Sequence, residues 1–319
     1  MGMKDILMDK EIGKTSGVLI DIKRFAVHDG PGIRTTFFLK GCTLRCRWCH
    51  NPEGIAPQPE LAFYAHKCRN CGYCVETCPQ GAHTLRDGVH HFDRNKCRAC
   101  GECEKWCSAS ALKLYGQRIT VDEALAVALE DRAFYEGSGG GVTLSGGEPL
   151  AQLEFTKALL ASLKNSGIHT ALDTCLAVPR ARVEAALPLA DMFLVDFKHA
   201  DPAAHKQLTG RSNEDIRANL QYLSDAEARI EIRIPLVPTC NDSVENLEAT
   251  GEFLGKLGIE SVRLLAYHAQ AATKYTALGE IYDMPEVTPP DAAALRKAAA
   301  VLRKHDLVVH HVYEDENLE

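Results

Sequence analysis

Short apolar, β-branched runs alternate along this chain with segments whose apolar residues recur at helical spacing. Residues 18–25, 35–40, 142–145, 170–173, 192–196, 230–237, 261–266 and 307–312 read as strands. Helices are predicted over 121–135, where Val121, Leu125, Leu129 and Arg132 fall on one face, and over 155–165, 183–187, 215–223, 244–257 and 291–304. Ser166-Gly167 and Gly258 close two of them, since glycine takes the left-handed conformation that ends a helix. Strands separated by helices of this length imply parallel βαβ units and an α/β class. About six such units are too few for an eightfold closed barrel, and alternation alone fits either an incomplete barrel or an open doubly wound sheet. Residues 55–116 break the rhythm: they are rich in cysteine and poor in helical periodicity. The expected organisation is therefore a first sheet segment over 1–54, an insert over 55–116, and the remaining strand–helix units over 117–319.

Composition narrows the class. The chain has 319 residues, 45% of them hydrophobic and 25% charged, as a globular protein does. A net charge of -7 offers no electrostatic reason for a nucleic-acid partner. No apolar run approaches the roughly 18 residues of a membrane span. The first seventeen residues hold no apolar signal core, so a cytoplasmic location is expected. Thirteen cysteines in such a chain argue for metal rather than disulfides. All but Cys175 and Cys240 fall into three short clusters. Oxygen-sensitive clusters would point further to an anaerobic cell.

The first cluster is Gly41-Cys42-Thr43-Leu44-Arg45-Cys46-Arg47-Trp48-Cys49-His50-Asn51. Its C-x3-C-x2-C spacing supplies three thiolates, enough for three irons of a cubic four-iron cluster. A cluster used only for electron transfer takes four cysteines. An iron without a protein ligand is the open position that catalytic metal sites keep for substrate. Cys42, Cys46 and Cys49 are the candidate catalytic ligands. The spacing resembles that of the radical S-adenosylmethionine (SAM) superfamily. There the methionine amino and carboxylate groups chelate the open iron. Reduction then splits the sulfonium into methionine and a 5′-deoxyadenosyl radical.

The insert carries Cys68-x2-Cys71-x2-Cys74-x3-Cys78-Pro79 and then Cys97-x2-Cys100-x2-Cys103-x3-Cys107. This is the bacterial two-cluster ferredoxin pattern, in which the fourth cysteine of each run ligates the other run's [4Fe-4S] cluster. Cys68, Cys71, Cys74 and Cys107 are assigned to one cluster, and Cys97, Cys100, Cys103 and Cys78 to the other. Gly72 and Gly101 sit at matching places where each loop wraps tightly. Ser108 replaces the second proline of the usual form. The two clusters either relay electrons toward the first site or shape a docking face.

Other candidates end strands, where parallel sheets place their chemistry. Gly146, Gly147 and Glu148 follow one strand, and the glycines allow backbone to approach a ligand's amino group beside an acid. Asp196-Phe197-Lys198 ends another, offering a cation for a cofactor carboxylate and an acid for its amine or ribose. Arg233, among β-branched residues, is expected inside the sheet's curve, where its fork would suit a carboxylate. His268 ends the last long strand. Asp173-Thr174 could hold a monovalent cation or cap a helix.

Taken together these motifs resemble the activating enzymes of glycyl radical enzymes. The resemblance runs from about Leu19 onward: Asp29-Gly30-Pro31-Gly32-Ile33-Arg34, Gly41 through Pro52, Gly139-Gly140-Gly141-Val142-Thr143, Ser145 to Glu148, Asp173-Thr174, Asp196 to Lys198, Pro235-Leu236-Val237-Pro238, and Leu264-Leu265-Ala266-Tyr267-His268. It implies a partial (β/α)6 barrel with an inserted two-cluster ferredoxin-like domain, hence three [4Fe-4S] clusters and bound SAM. It implies that flavodoxin or ferredoxin supplies electrons to a monomer. The deoxyadenosyl radical then takes a Cα hydrogen from one glycine of a partner enzyme. The two-cluster insert resembles the branch serving choline, glycerol, isethionate, hydroxyproline, aryl-succinate and hydroxyphenylacetate enzymes. By position, Trp48, Cys49, His50, Gly147, Asp196, Phe197, Lys198 and His268 would line the cofactor, and Asp29 to Gly32 would meet the glycyl loop. The alternative is a radical SAM enzyme that uses auxiliary clusters to act directly on a small molecule or peptide.

Overall fold

The computed structural model describes residues 12–284 and 286–311. Residues 1–11, part of the segment read for export, and Val312, at the end of the last expected strand, lie outside them. Thirteen strands form among the described residues: β1 Ser16–Ala26, β2 Arg34–Leu39, β3 Glu60–Phe63, β4 His83–Arg86, β5 Val89–Phe92, β6 Leu112–Tyr115, β7 Gln117–Thr120, β8 Gly141–Gly146, β9 Thr170–Thr174, β10 Met192–Asp196, β11 Ile230–Leu236, β12 Ser261–Ala266 and β13 Val308–His311.

The main sheet runs β13-β12-β11-β10-β9-β8-β2-β1-β7. From β2 through β8, β9, β10, β11, β12 and β13 every pairing is parallel. β1 lies antiparallel on β2, and β7 antiparallel on β1. The sheet curls. Arg233 of β11 donates to the carbonyl of His28, in the β1–β2 connection, although three strands stand between β11 and β2. This is a partial (β/α) barrel, one of the two folds the alternation left open and the one the resemblance implied.

The helices match the expected pattern with two differences. Residues 121–135 form two helices, Val121–Glu130 and Arg132–Ser138, meeting at Asp131. The Asp131 carboxylate is drawn inward by Arg24 Nε (2.9 Å) and Thr35 Oγ1 (2.7 Å), which fixes the break. Two further helices, Pro202–Thr209 and Ala272–Leu278, are too short to leave a clear period in the sequence. Asp201 caps the first through the Ala204 N–H at 2.7 Å.

The main core joins the sheet to its outer helices, with Phe37, Leu39, Leu144, Leu159, Leu160 and Leu254 completely or almost completely shielded. Burying each such side chain contributes about 1.5–3 kcal/mol. The residues between Glu60 and Tyr115 form two separate ladders, β3 with β6 and β4 with β5, outside the main sheet.

Candidate active site

Parallel pairing brings the carboxyl ends of β2, β8, β9, β10 and β12 to one edge, and the cysteine loop follows β2 there. Backbone hydrogen bonds tie the loop down. Gly41 N–H donates to Gly54 O (2.8 Å) and Cys42 N–H to Ile55 O (3.0 Å), while Glu148 N–H donates to Gly41 O (2.8 Å). Buried Lys40 donates to Glu53 O (2.9 Å) and Glu60 Oε2 (2.7 Å). Lys274 binds the loop from the other side, through Glu53 Oε1 (2.6 Å), Asn51 Oδ1 (3.0 Å) and His50 O (3.2 Å). Gly146 has φ +114°, and a Cβ on Gly147 would collide with the carbonyls of Gly41 and Gly54. The two glycines let β8 press directly against the cysteine loop.

The three loop thiols share one desolvated pocket. Burial pushes the Cys46 thiol up to about 12, with Cys49 and Cys42 adding to the rise and Lys198 opposing it. Burial likewise raises Cys49 to about 11. Cys42 moves the other way, chiefly through its contact with the neighbouring Cys175 side chain. Thiols held neutral by burial ionise when a cation replaces their protons. Three convergent sulfurs suit three irons of a cube, so this donor set fits the cluster that the spacing implies.

Beside them, Lys198 Nζ meets Asp196 Oδ2 at 2.7 Å. Burial alone would lower the lysine's pKa, but Asp196 holds it well above the usual range. His50, next to Cys49 in the loop, and His268, after β12, pack edge to face, with ring centres 6.1 Å apart. Burial, then Lys274, lowers the His50 pKa. Arg233 lies buried on the inner face, bonded to Asp173 Oδ2 (3.3 Å) and the His28 carbonyl. Asp173, also held by Ser145 Oγ at 2.6 Å, has its carboxyl raised to about 6, chiefly by burial.

Two residues expected at the cofactor, Glu148 and Phe197, are turned into the packing, and Thr174 takes the capping role of its two alternatives. Glu148 is completely buried: its oxygens accept from Leu150 N–H (2.9 Å), Thr174 Oγ1 (2.8 Å), Cys175 N–H (2.9 Å) and Cys175 Sγ (3.1 Å). It braces the ends of β8 and β9 rather than standing free for an amino group. Thr174 spends its hydroxyl on that carboxylate and accepts from Leu176 N–H at 3.0 Å, so it caps a turn. Phe197 stacks on Phe253 of helix Val244–Lys256, ring centres 5.5 Å apart. Strand alternation sends it away from the face of Asp196. Trp48 anchors a satellite apolar cluster with Leu208, Val237, Tyr267 and Tyr275, and Cys46 and Cys49 pack against that cluster, so Trp48 stays beside the loop thiols.

Sequence reading missed Cys175. It stands far from every cysteine cluster, and β9 brings it against Cys42 and Thr43. The signal was its position directly after Asp173-Thr174 at a strand end. Its thiol already serves Glu148, so it supports the site without being needed as a ligand. Cys175→Ala is expected to retain the full iron content and to lose roughly 1 kcal/mol of stability. Iron analysis and a urea melt of the anaerobic protein check this.

In the insert, Cys107 stands among Cys68, Cys71 and Cys74, and burial, then the neighbouring sulfurs, raises the half-buried Cys74 thiol to about 11. Cys78 stands among Cys97, Cys100 and Cys103 in the same way. Gly72 (φ 84°) and Gly101 (φ 79°) both take the left-handed conformation at the start of a one-turn helix within each loop.

Comparison with known proteins accords with this geometry. The radical SAM superfamily profile matches residues 94–254, a 4Fe-4S dicluster domain matches 67–111, and a 4Fe-4S single cluster domain matches 28–84. Fold and matches together define a radical SAM iron–sulfur enzyme. The (2S)-3-sulfopropanediol dehydratase activating enzyme of Klebsiella oxytoca is 42% identical over 85% of this chain and 88% of its own. The choline trimethylamine-lyase activating enzyme of Oleidesulfovibrio alaskensis is 41% identical over 92% of this chain and 96% of its own. The benzylsuccinate synthase activating enzyme of Thauera aromatica is 42% identical over 92% and 91%. The chain belongs to the activating enzymes of glycyl radical enzymes. No helix among the described residues is long and apolar enough to cross a membrane.

Proposed function

We propose that this protein activates one glycyl radical enzyme by reductive cleavage of SAM and removal of a glycine Cα hydrogen. The observation that carries the reading is the meeting of three desolvated thiols with the Lys198–Asp196 pair and the His50–His268 pair at one strand edge. Cys42, Cys46 and Cys49 would hold a [4Fe-4S] cluster, which when reduced supplies the electron that splits the sulfonium of SAM. Lys198 neutralises the cofactor carboxylate while Asp196 holds the lysine in place. His50 and His268 line the pocket. Gly146 and Gly147 bring backbone to the same pocket, and Glu148 keeps β8 and β9 in register beneath it. Arg233, through the His28 carbonyl, fixes the connection that carries Asp29 to Gly32, where the glycyl loop of the partner would enter. A monovalent cation there would draw on Asp173, because the Thr174 hydroxyl is already committed.

Glycine suits the reaction because its Cα radical can flatten and delocalise into both neighbouring peptides. The hydrogen atom passes whole from Cα to the 5′ carbon, leaving the unpaired electron on the partner. The insert, taken as residues 55–116 between barrel segments 1–54 and 117–319, would hold two more clusters. These pass electrons from flavodoxin or ferredoxin toward the loop of a monomeric activator.

Relatives of nearly equal identity are named for a dehydratase, a trimethylamine lyase and a succinate synthase. The activating machinery is thus common to enzymes of unlike substrates, and partner choice lies in the docking surface. The test mixes reduced protein, SAM and candidate lyases under anaerobic conditions. A glycyl doublet in the electron paramagnetic resonance (EPR) spectrum of one lyase, with stoichiometric 5′-deoxyadenosine, is expected. Turnover of a metabolite with no partner present would favour the direct-acting alternative.

A further inference from the structure

The two halves of the insert are a repeat. The offset that pairs Cys68 with Cys97 and Cys78 with Cys107 also pairs Phe63 with Phe92, Lys67 with Lys96 and Gly72 with Gly101. The small ladders obey it as well: β3 corresponds to β5, and β4 to β6. At two buried positions the halves diverge. Leu61 in one half is His90 in the other, and His83 is matched by Leu112. All four side chains are shielded from solvent.

His90 packs against the Cys68 set. Its Nδ1 lies 3.7 Å from Cys68 Sγ and its Nε2 lies 3.4 Å from Cys74 Sγ. The amide of Asn70, inside the same cysteine loop, accepts the His90 backbone N–H at 3.0 Å, and Phe63 packs edge-on against the ring. His83 stands behind it, with its Nδ1 2.9 Å from His90 Nε2, and stacks on Phe92. The Nε2 of His83 is buried and has no hydrogen-bond partner among the described residues.

One arrangement of protons leaves no buried N–H of the pair without a partner, and it turns the His90 Nε2 lone pair toward both His83 and Cys74 Sγ. A buried nitrogen without a partner costs less as a lone pair than as an N–H. His83 therefore carries its proton on Nδ1 and donates to His90 Nε2. His90 must then carry its own proton on Nδ1, facing Cys68 Sγ. One imidazole fixes the tautomer of the next, as an outer partner does for a metal-bound histidine. His83 also lines the cavity of the Cys97 set, but it presents a lone pair there, and the wall position matching His90 is Leu61.

We propose that His83 locks His90 as a hydrogen-bond donor to Cys68, so that the cluster at Cys68, Cys71, Cys74 and Cys107 has the higher reduction potential of the insert's two. Hydrogen bonds to ligand sulfur stabilise the more negative, reduced state, whereas a leucine wall does not. Electrons would then collect on the Cys68 side, with the Cys97 cluster as the stronger reductant. His90 is a positioning residue for the electron path. The inference rests on the two insert clusters of the proposed function and adds the order of their potentials.

The test is an EPR-monitored redox titration of the full-length, anaerobically reconstituted protein at one fixed pH. The catalytic cluster is recognised by its change on adding SAM. His90→Leu, which copies Leu61, should lower one insert potential by about tenfold in the reduction equilibrium, about 59 mV for one electron, and leave the other unchanged. His90→Gln keeps an N–H and should restore most of the shift. If His90→Leu fails to load iron, Leu61→His combined with Leu112→His decides, since it copies both members of the pair, leaves the native pair intact and should raise the other insert potential. Iron counts below three clusters in the unmodified protein would overturn the proposed function itself. Full iron with unmoved potentials in His90→Leu and in the combined Leu61→His, Leu112→His variant overturns only the inference. So would a mononuclear ion, bound by Cys74, His83 and His90, that both histidine substitutions release.

Discussion

Cys46→Ala is expected to abolish SAM cleavage and to lower iron from about twelve to about eight atoms per chain, one four-iron cube of three. The reason is the geometry of the loop. Cys46 is the most strongly desolvated of its three thiols, and a cube gripped at two corners exposes a second iron to water. Cys175 does not rescue it, because its thiol is committed to Glu148 and it adjoins Cys42 rather than Cys46. The insert sulfurs belong to separate ladders, so their eight irons should stay. Iron analysis together with a 5′-deoxyadenosine assay reads both effects. Loss of all iron would mean that the insert depends on the barrel site.

Glu148→Ala is expected to be the most damaging change that leaves every proposed metal ligand in place. The substitution strands the N–H groups of Leu150 and Cys175 and the hydroxyl of Thr174 in a fully buried space. Unsatisfied buried donors each cost about 1–3 kcal/mol, and together the loss should reach roughly 3–5 kcal/mol. The urea midpoint of the anaerobic protein should fall by about 1 M or more. Glu148→Gln, which keeps one acceptor, should fall between the two. A midpoint unchanged in Glu148→Ala would show that β8 and β9 hold their register without this brace.

The cysteine arrangement was legible because each ligand group spans few residues, and short loops leave little freedom in where their sulfurs meet. The exchange of Cys78 and Cys107 between the two sets was expected from the two-cluster ferredoxin pattern, and the structure sets each beside the other run's cysteines. The strand–helix order was legible for the same local reason. Side-chain direction was not. Asp196, Phe197 and Lys198 adjoin in sequence, yet Phe197 stacks in the core while its neighbours pair at the site. Glu148 follows two glycines that do approach the cysteine loop, but its carboxylate turns into the next strand's end. Cys175 joins the site only because β9 lies beside β8, a long-range fact that no local pattern carries. β7 likewise pairs with β1 across the whole insert.

The measurement closest to the central claim is the EPR spectrum of the reduced, iron-loaded protein before and after SAM is added. One cluster signal of three should change, and it should be the one missing from Cys46→Ala. If no signal responds to SAM, or if the anaerobic protein contains zinc and little iron, the loop does not hold an open cluster and the account is wrong.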